Sequence, residues 1–218
     1  MSTEPLTDGP PHGGQPDAER STPARLPRQV RRAQLLQAAR EVFVAQGYHA
    51  AAMDDIAERA GVSKPVLYQH FPGKMELYLA LLETHTTDLV EQVKRSLATT
   101  TDNKVRVHKA VEAYYEFVDN EDGAFRLVFE TDLGNDPAVR ALVDRGNQDC
   151  AHAIADTIAA DTGLPREHAE LLATGLIGAA QVSARYWLTT DRKVPMGEAI
   201  ELVAAVSWRG ISGFPRQQ

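Results

Sequence analysis

Cysteine is nearly missing from this chain of 218 residues: Cys150 stands alone, which excludes an internal disulfide and any metal site built on several cysteines. No stretch approaches the ~18 uninterrupted apolar residues of a membrane-spanning helix, and the N-terminus lacks the apolar core of a secretory signal. The cytoplasm is therefore the expected compartment. Runs of alternating β-branched residues are scarce, whereas apolar residues, 43% of the chain, recur at helical spacing. The expected fold is all-α, in a chain long enough for one large or two small domains with a hydrophobic core. Common catalytic signatures are missing too. There is no glycine-rich phosphate loop, no nucleophile elbow, and no His-x-x-x-His or paired-cysteine spacing. His85, His108 and His152 would have to converge from separate helices to hold a metal. No catalytic residue, metal ligand or cofactor is assigned.

The net charge of −7 is unevenly spread. Residues 1–19 carry four acids and no Lys or Arg, residues 20–74 carry nine Lys and Arg against four acids, and residues 75–218 carry 14 against 22. An excess of positive charge confined to one segment suits a chain with one face for phosphates and an acidic remainder held away from them. Ordinary surface scatter would give the same numbers with no such meaning. The motifs decide between the two.

Within the basic segment, Asp54 to Lys74 reads as two short helices and a tight turn. Ile56, Ala57 and Ala60 make one apolar face, and Gly61 supplies the permissive backbone of the turn. Ser63 is the expected N-cap of the second helix, Pro65 sits in its first turn, and Leu67 and Phe71 anchor it inward. Its opposite face shows Lys64, Pro65, Tyr68 and Gln69, residues suited to base edges and phosphates in a major groove.

The run from about Arg31 through Lys74 closely resembles the DNA-binding domain of the TetR family of bacterial one-component regulators. The marks are a helix ending in Phe43 and Gly47-Tyr48, then Ile56-Ala57-x-x-Ala60-Gly61-Val62-Ser63, then Leu67-Tyr68-x-His70-Phe71 followed by Lys74 and Leu77. One position departs from the family pattern: Ala52 stands where relatives carry Thr. An N-cap hydroxyl contributes about 1 kcal/mol, and Asp54 and Asp55 in the first turn offset part of its loss. The resemblance implies that helix 64–70 enters the major groove with Lys64, Pro65 and Tyr68 near bases. Val66 belongs to the same DNA-binding set, and Gln69, His70 and Lys74 would contact the DNA backbone.

Residues 1–27 hold six Pro and three Gly with few large apolar groups and are expected to form a disordered tail. Arg20, Arg25 and Arg28 at its basic end suit either a DNA contact or a solvated linker. The helix-turn-helix domain is placed at 28–74, its first helix running from Arg28 to Gln46, and a larger helical-bundle domain at 75–218. Helices are expected at 53–60, 64–70, from 73 or 74 to about 98, and at 103–119, 122–132, 136–161, 166–190 and 196–213. The long helix begun at Lys74 belongs to both domains and links them physically.

In the family, the last two helices of each subunit form a four-helix dimer interface. That resemblance implies a homodimer using Gly175, Gly178, Ala179, Val182, Val203 and Trp208, although small residues would serve intramolecular packing as well. Aromatic residues of the second domain are candidates for a pocket taking a mainly apolar effector, with Tyr114, Phe129, Arg185 and Trp187 singled out. Arg126 has Glu130 one turn away as an internal partner, which removes its need for an anionic ligand; Arg185 has no such neighbour. The resulting expectation is a homodimeric DNA-binding regulator, a repressor released from an inverted-repeat operator by a small molecule. An effector-independent DNA-binding protein and a helical enzyme are the alternatives; only an enzyme would turn over a substrate without DNA.

Overall fold

The computed structural model describes residues 27–120, 133 and 135–211, with side chains to residue 209. Among them are eight helices and no strand: α1 (Arg28–Ala50), α2 (Met53–Arg59), α3 (Lys64–His70), α4 (Lys74–Ala98), α5 (Asn103–Asp119), α6 (Pro137–Thr162), α7 (Arg166–Thr189) and α8 (Met196–Ile211). The expected helix at 122–132, with Phe129, Arg126 and Glu130, lies outside the described residues, as do residues 1–26 of the N-terminal tail. No described helix is long and apolar enough to cross a membrane.

In α1 the buried residues Leu35, Ala38, Ala39, Val42 and Phe43 recur at three- and four-residue spacing, which gives one apolar stripe facing inward. The expected stop at Gly47 is a break rather than an end. Gly47 takes φ 77° and ψ 166°, and the helical range runs on to Ala50. That left-handed φ is open to glycine without steric cost. Beyond the break, the Tyr48 ring packs 5.9 Å from Phe43 and 5.1 Å from Tyr78 at the start of α4.

The helices of the larger bundle begin where their caps dictate. Asp102 accepts the backbone N–H groups of Lys104 and Val105 at the head of α5. Asp136 accepts those of Ala138 and Val139 at the head of α6, with Pro137 in the first turn. Each such cap is worth about 1 kcal/mol. Gly163, at φ 69°, closes α6.

α4 is the shared element. Its first half buries Leu77, Tyr78, Leu81 and Leu82, and its second half buries Leu89, Val90 and Val93. It packs on α1 at one end and on α5 and α6 along the rest. On α6, Gly146 faces it closely: an added Cβ would lie 3.0 Å from Thr86 Cβ and 3.3 Å from its Cγ2. Thr86 is itself fixed, because its buried hydroxyl donates to the carbonyl of Leu82 at 3.0 Å.

Gly146→Val should therefore force the α4 and α6 backbones apart. Overpacking of this kind costs about 1–3 kcal/mol, which for a domain of this size lowers Tm by roughly 2–10 °C. Thermal melts followed by circular dichroism check it, and Thr86→Ala in the same chain should restore part of the loss.

Candidate nucleic-acid interface

α2 and α3 are joined by a turn in which Gly61 takes φ 63°, its N–H bonded to the Glu58 carbonyl and the Val62 N–H to the Ala57 carbonyl. Such carbonyl capping through a left-handed residue is how a short helix stops cleanly. Ala52 at the head of α2 has no side-chain cap, and the Asp55 carboxylate reaches back to the Ala52 N–H at 3.4 Å. Ser63 occupies the N-cap position of α3 with extended φ and ψ, but its hydroxyl makes no cap bond.

α3 is held by one side and displays the other. Leu67 is fully buried, as is Phe71 just beyond, whereas Lys64, Pro65, Tyr68 and Gln69 are exposed and Val66 is half-buried. Tyr68 is 47% exposed, a large aromatic surface with little protein covering it. Lys64 donates to Asp54 at 2.6 Å, both ends in solvent. That hydrogen bond raises the Lys64 pKa, so the group stays cationic. An exposed pair of this kind contributes little stability and exchanges readily for a phosphate.

His70, half-buried at the end of α3, has its pKa lowered, first by burial and then by the positive charges of Arg28, Arg32 and Arg31. The imidazole is therefore neutral at pH 7 in the free protein. Arg32 lies over the Phe71 ring at 4.5 Å, and Arg31 bonds Gln34, whose amide donates to the Ala60 carbonyl at 2.7 Å. Of this arginine group from the first turns of α1, massed beside the end of α3, only Arg28 stood out in the sequence, together with the tail arginines; Arg31 and Arg32 did not. The group's one sequence signal is the cluster Arg28, Arg31 and Arg32 at three- and four-residue spacing.

Lys74, expected to contact the DNA backbone, has protein partners in the DNA-free chain. Its ammonium donates to the carbonyls of Tyr48 at 2.8 Å, Ala51 at 2.9 Å and His49 at 3.3 Å, and sits 4.5 Å from the centre of the Tyr48 ring. Its three donors are thus directed at the link between α1 and α2.

The bundle holds a cavity of about 340 Å³ bounded by the end of α4 and by α5, α6, α7 and α8. Its walls are mainly apolar, from Leu97, Val107, Ala110, Ile154, Leu176 and Ile177 among others, with Tyr114 and Trp208 as aromatic members. Polar atoms come from Asn103, Ser207, the pair Arg106–Asp161 at 2.9 Å, and Thr157 and Thr162, whose hydroxyls donate to the Ala153 and Ile158 carbonyls of their own helix. Of the residues singled out for an effector, Tyr114 lines this space. Arg185 is exposed on α7, and Trp187 is buried outside the cavity, donating its Nε1–H to the Val194 carbonyl at 2.6 Å and packing 5.5 Å from Tyr115.

Of the residues singled out for a dimer face, Trp208 turns toward the cavity and Val203 is half-buried. Gly175, Ala179 and Val182 are exposed, and a Cβ at Gly175 or Gly178 would meet nothing within 4 Å. Leu171 and Tyr186 on α7, and Leu202 and Val206 on α8, add further exposed apolar groups.

Residues 35–81 match the family described as bacterial regulatory proteins of the tetR family, and residues 103–210 match the tetracyclin repressor-like C-terminal domain. Over 191 residues the chain is 49% identical to the HTH-type transcriptional activator FasR of Mycolicibacterium smegmatis, covering 88% of this chain and 87% of that one. The chain belongs to the TetR family. Among solved structures, a TetR-like transcriptional regulator from a Rhodococcus species is 26% identical with a TM-score of 0.67, covering 87% of this chain and 100% of the other. A tetR-family regulator from Streptomyces coelicolor is 25% identical with a TM-score of 0.68, covering 86% of each. The TetR architecture, an N-terminal helix-turn-helix on a helical C-terminal domain, is the one described above, and the chain is a transcriptional regulator.

The position of Lys74 sets a test. Charge-assisted hydrogen bonds contribute about 1.5–3 kcal/mol each, so Lys74→Met should lower the thermal stability of the α1–α2 region and weaken binding to all DNA. A lysine on a phosphate would in addition remove about 0.9 from the slope of log K against log salt. For the fastening role, titrations at several salt concentrations should leave that slope unchanged.

Proposed function

We propose that this TetR-family chain is a homodimeric, sequence-specific DNA-binding regulator whose occupancy of a twofold-symmetric operator is controlled by a mainly apolar small molecule. Residues 28–74 read the DNA, and residues 75–218 hold the effector cavity and the dimer face. The observation that carries the reading is the sidedness of α3: Leu67 is buried while Lys64, Pro65, Tyr68 and Gln69 face solvent. A helix held by one side, with a cation, an amide and an exposed aromatic ring on the other, presents the groups that a major groove accepts. Lys64 and Tyr68 are the base readers, Pro65 and Val66 pack near them, and Gln69 and His70 meet the backbone together with Arg28, Arg31 and Arg32. The cytoplasm is the compartment in which such a protein meets its operator, and no catalytic step or resident cofactor enters the reading.

A twofold dimer presents two such helices to two half-sites one helical turn apart. Gly175, Gly178, Ala179 and Val182, continued by Leu171, Tyr186, Leu202 and Val206, form its contact, because a face of small and apolar residues lets the helices of two copies approach closely. The effector occupies the cavity at the far end of α4 from Lys74. An effector that loosens the operator complex binds the DNA-free state more tightly by the same factor, typically about 1–3 kcal/mol, since the coupling is reciprocal.

For the sign of transcriptional control, the sequence alone favoured repression. The 49% identical relative is named an activator, and we take activation as the reading for this chain, with the effector lowering transcription by releasing the operator. A reporter driven from the operator should then lose expression when the regulator is deleted; a gain of expression would establish repression.

For base reading, Lys64→Ala and Tyr68→Phe should each reduce preference for the operator over random DNA by roughly 1–3 kcal/mol. Titrations on both DNAs measure this, and equal losses on the two would remove a residue from the base-reading set. For the dimer, Gly178→Leu introduces bulk where the protomer itself has open space. Sedimentation should show folded monomers, and a persistent dimer at low concentration would place the interface elsewhere.

A further inference from the structure

The cavity carries information about the chemistry of its guest beyond its apolar walls. Tyr114 lines it and is 1% exposed, yet its hydroxyl has no hydrogen-bond partner among the described residues. Its polar neighbour is the thiol of Cys150, and sulfur is a weak acceptor. Burial pushes the phenol well above its usual pKa, so the proton is present, with that weakly accepting thiol as its polar neighbour and no oxygen or nitrogen acceptor among the described residues. Buried hydroxyls are ordinarily paired, and an unpaired one is a penalty that a guest can remove.

The charged part of the wall points the same way. Arg106 and Asp161 neutralise each other at 2.9 Å. Arg106 also donates to the carbonyls of Thr100 at 2.7 Å and Leu97 at 3.1 Å, and to Asn103 Oδ1 at 2.9 Å. The lining therefore offers no net positive charge to hold a buried anion, and burying an unpaired charge is strongly unfavourable.

We propose that the cavity binds an uncharged, largely apolar molecule carrying one acceptor oxygen, such as a ketone, ester or ether, and that the Tyr114 hydroxyl donates to that oxygen. This rests on the reading of the cavity as the effector site and adds the polar group and its partner. Tyr114 then sets specificity: it rewards an oxygenated guest over a hydrocarbon of the same shape, because only the former pairs the buried hydroxyl.

Three probes with ten carbons and one phenyl ring separate the possibilities: butylbenzene, butyrophenone and 4-phenylbutyrate, titrated calorimetrically into the full-length protein. The wild type should bind butyrophenone about tenfold or more tightly than butylbenzene, the fold-change expected from pairing a buried hydroxyl, and 4-phenylbutyrate most weakly. Tyr114→Phe should abolish the preference for the ketone while leaving butylbenzene affinity unchanged. Without any probe, the same variant should melt no lower than the wild type, because the hydroxyl it loses leaves behind only a weakly accepting thiol. A ketone preference that survives in Tyr114→Phe, a Tm lowered by several degrees in the empty variant, or tighter binding of the carboxylate would each overturn the assignment. Equal binding of butylbenzene and butyrophenone to the wild type would overturn the role of Tyr114 alone and leave the cavity as an effector site. Failure of all three probes to bind the wild type would overturn both.

Discussion

The joint between the DNA-binding helices and the long helix behind them is fastened by the bonds from the Lys74 ammonium to the carbonyls of Tyr48, His49 and Ala51. Lys74 is the first residue of α4, and those carbonyls belong to the link from α1 to α2. One side chain thus fastens the long helix to the element that orients the helix-turn-helix. The aromatic group of Phe43, Tyr48 and Tyr78 packs around the same point, with Phe43 and Tyr78 edge to face at 5.2 Å. Hydrogen bonds from a half-buried cation and ring packing reinforce each other here, because the rings keep water away from the carbonyls and the carbonyls hold the cation over the ring. The start of α4 therefore cannot shift without the α1–α2 link shifting with it.

At its other end the same helix supplies Leu97 to the cavity wall. Arg106 accentuates this, since it bonds the carbonyls of Leu97 and Thr100, tying the exit of α4 to α5. The helix that supplies this part of the cavity wall is thus fastened at both ends to something specific. That is the physical requirement for coupling two sites: a single element with defined partners at each end, rather than a loose chain of contacts.

The helices of the DNA-binding region were legible in the sequence because their signals are local. Gly61, Pro65 and the spacing of Ile56, Leu67 and Phe71 act within one or two turns, and α2 and α3 lie within a residue of their expected ranges. The contacts of Lys74, Trp187 and Trp208 were not legible, because each depends on which distant backbone or cavity the folded chain brings alongside. Lys74 reaches carbonyls 23 to 26 residues away, and Trp208 faces a space formed by five helices. Aromatic composition marks a pocket-rich domain without saying which aromatic lines the pocket. The position of Gly146 against Thr86 was likewise invisible, since a glycine inside a helix carries no label for the neighbour it admits.

That last contact has a mechanical consequence. Thr86 stands near the middle of α4, 12 residues from Lys74 and 11 from Leu97, which at 1.5 Å per residue is about 18 Å and 16 Å along the axis. Any residue larger than glycine on α6 would have to push the two helices apart at that point, so the spacing of α4 from α6 is set about equally far from the Lys74 fastening and from the cavity wall.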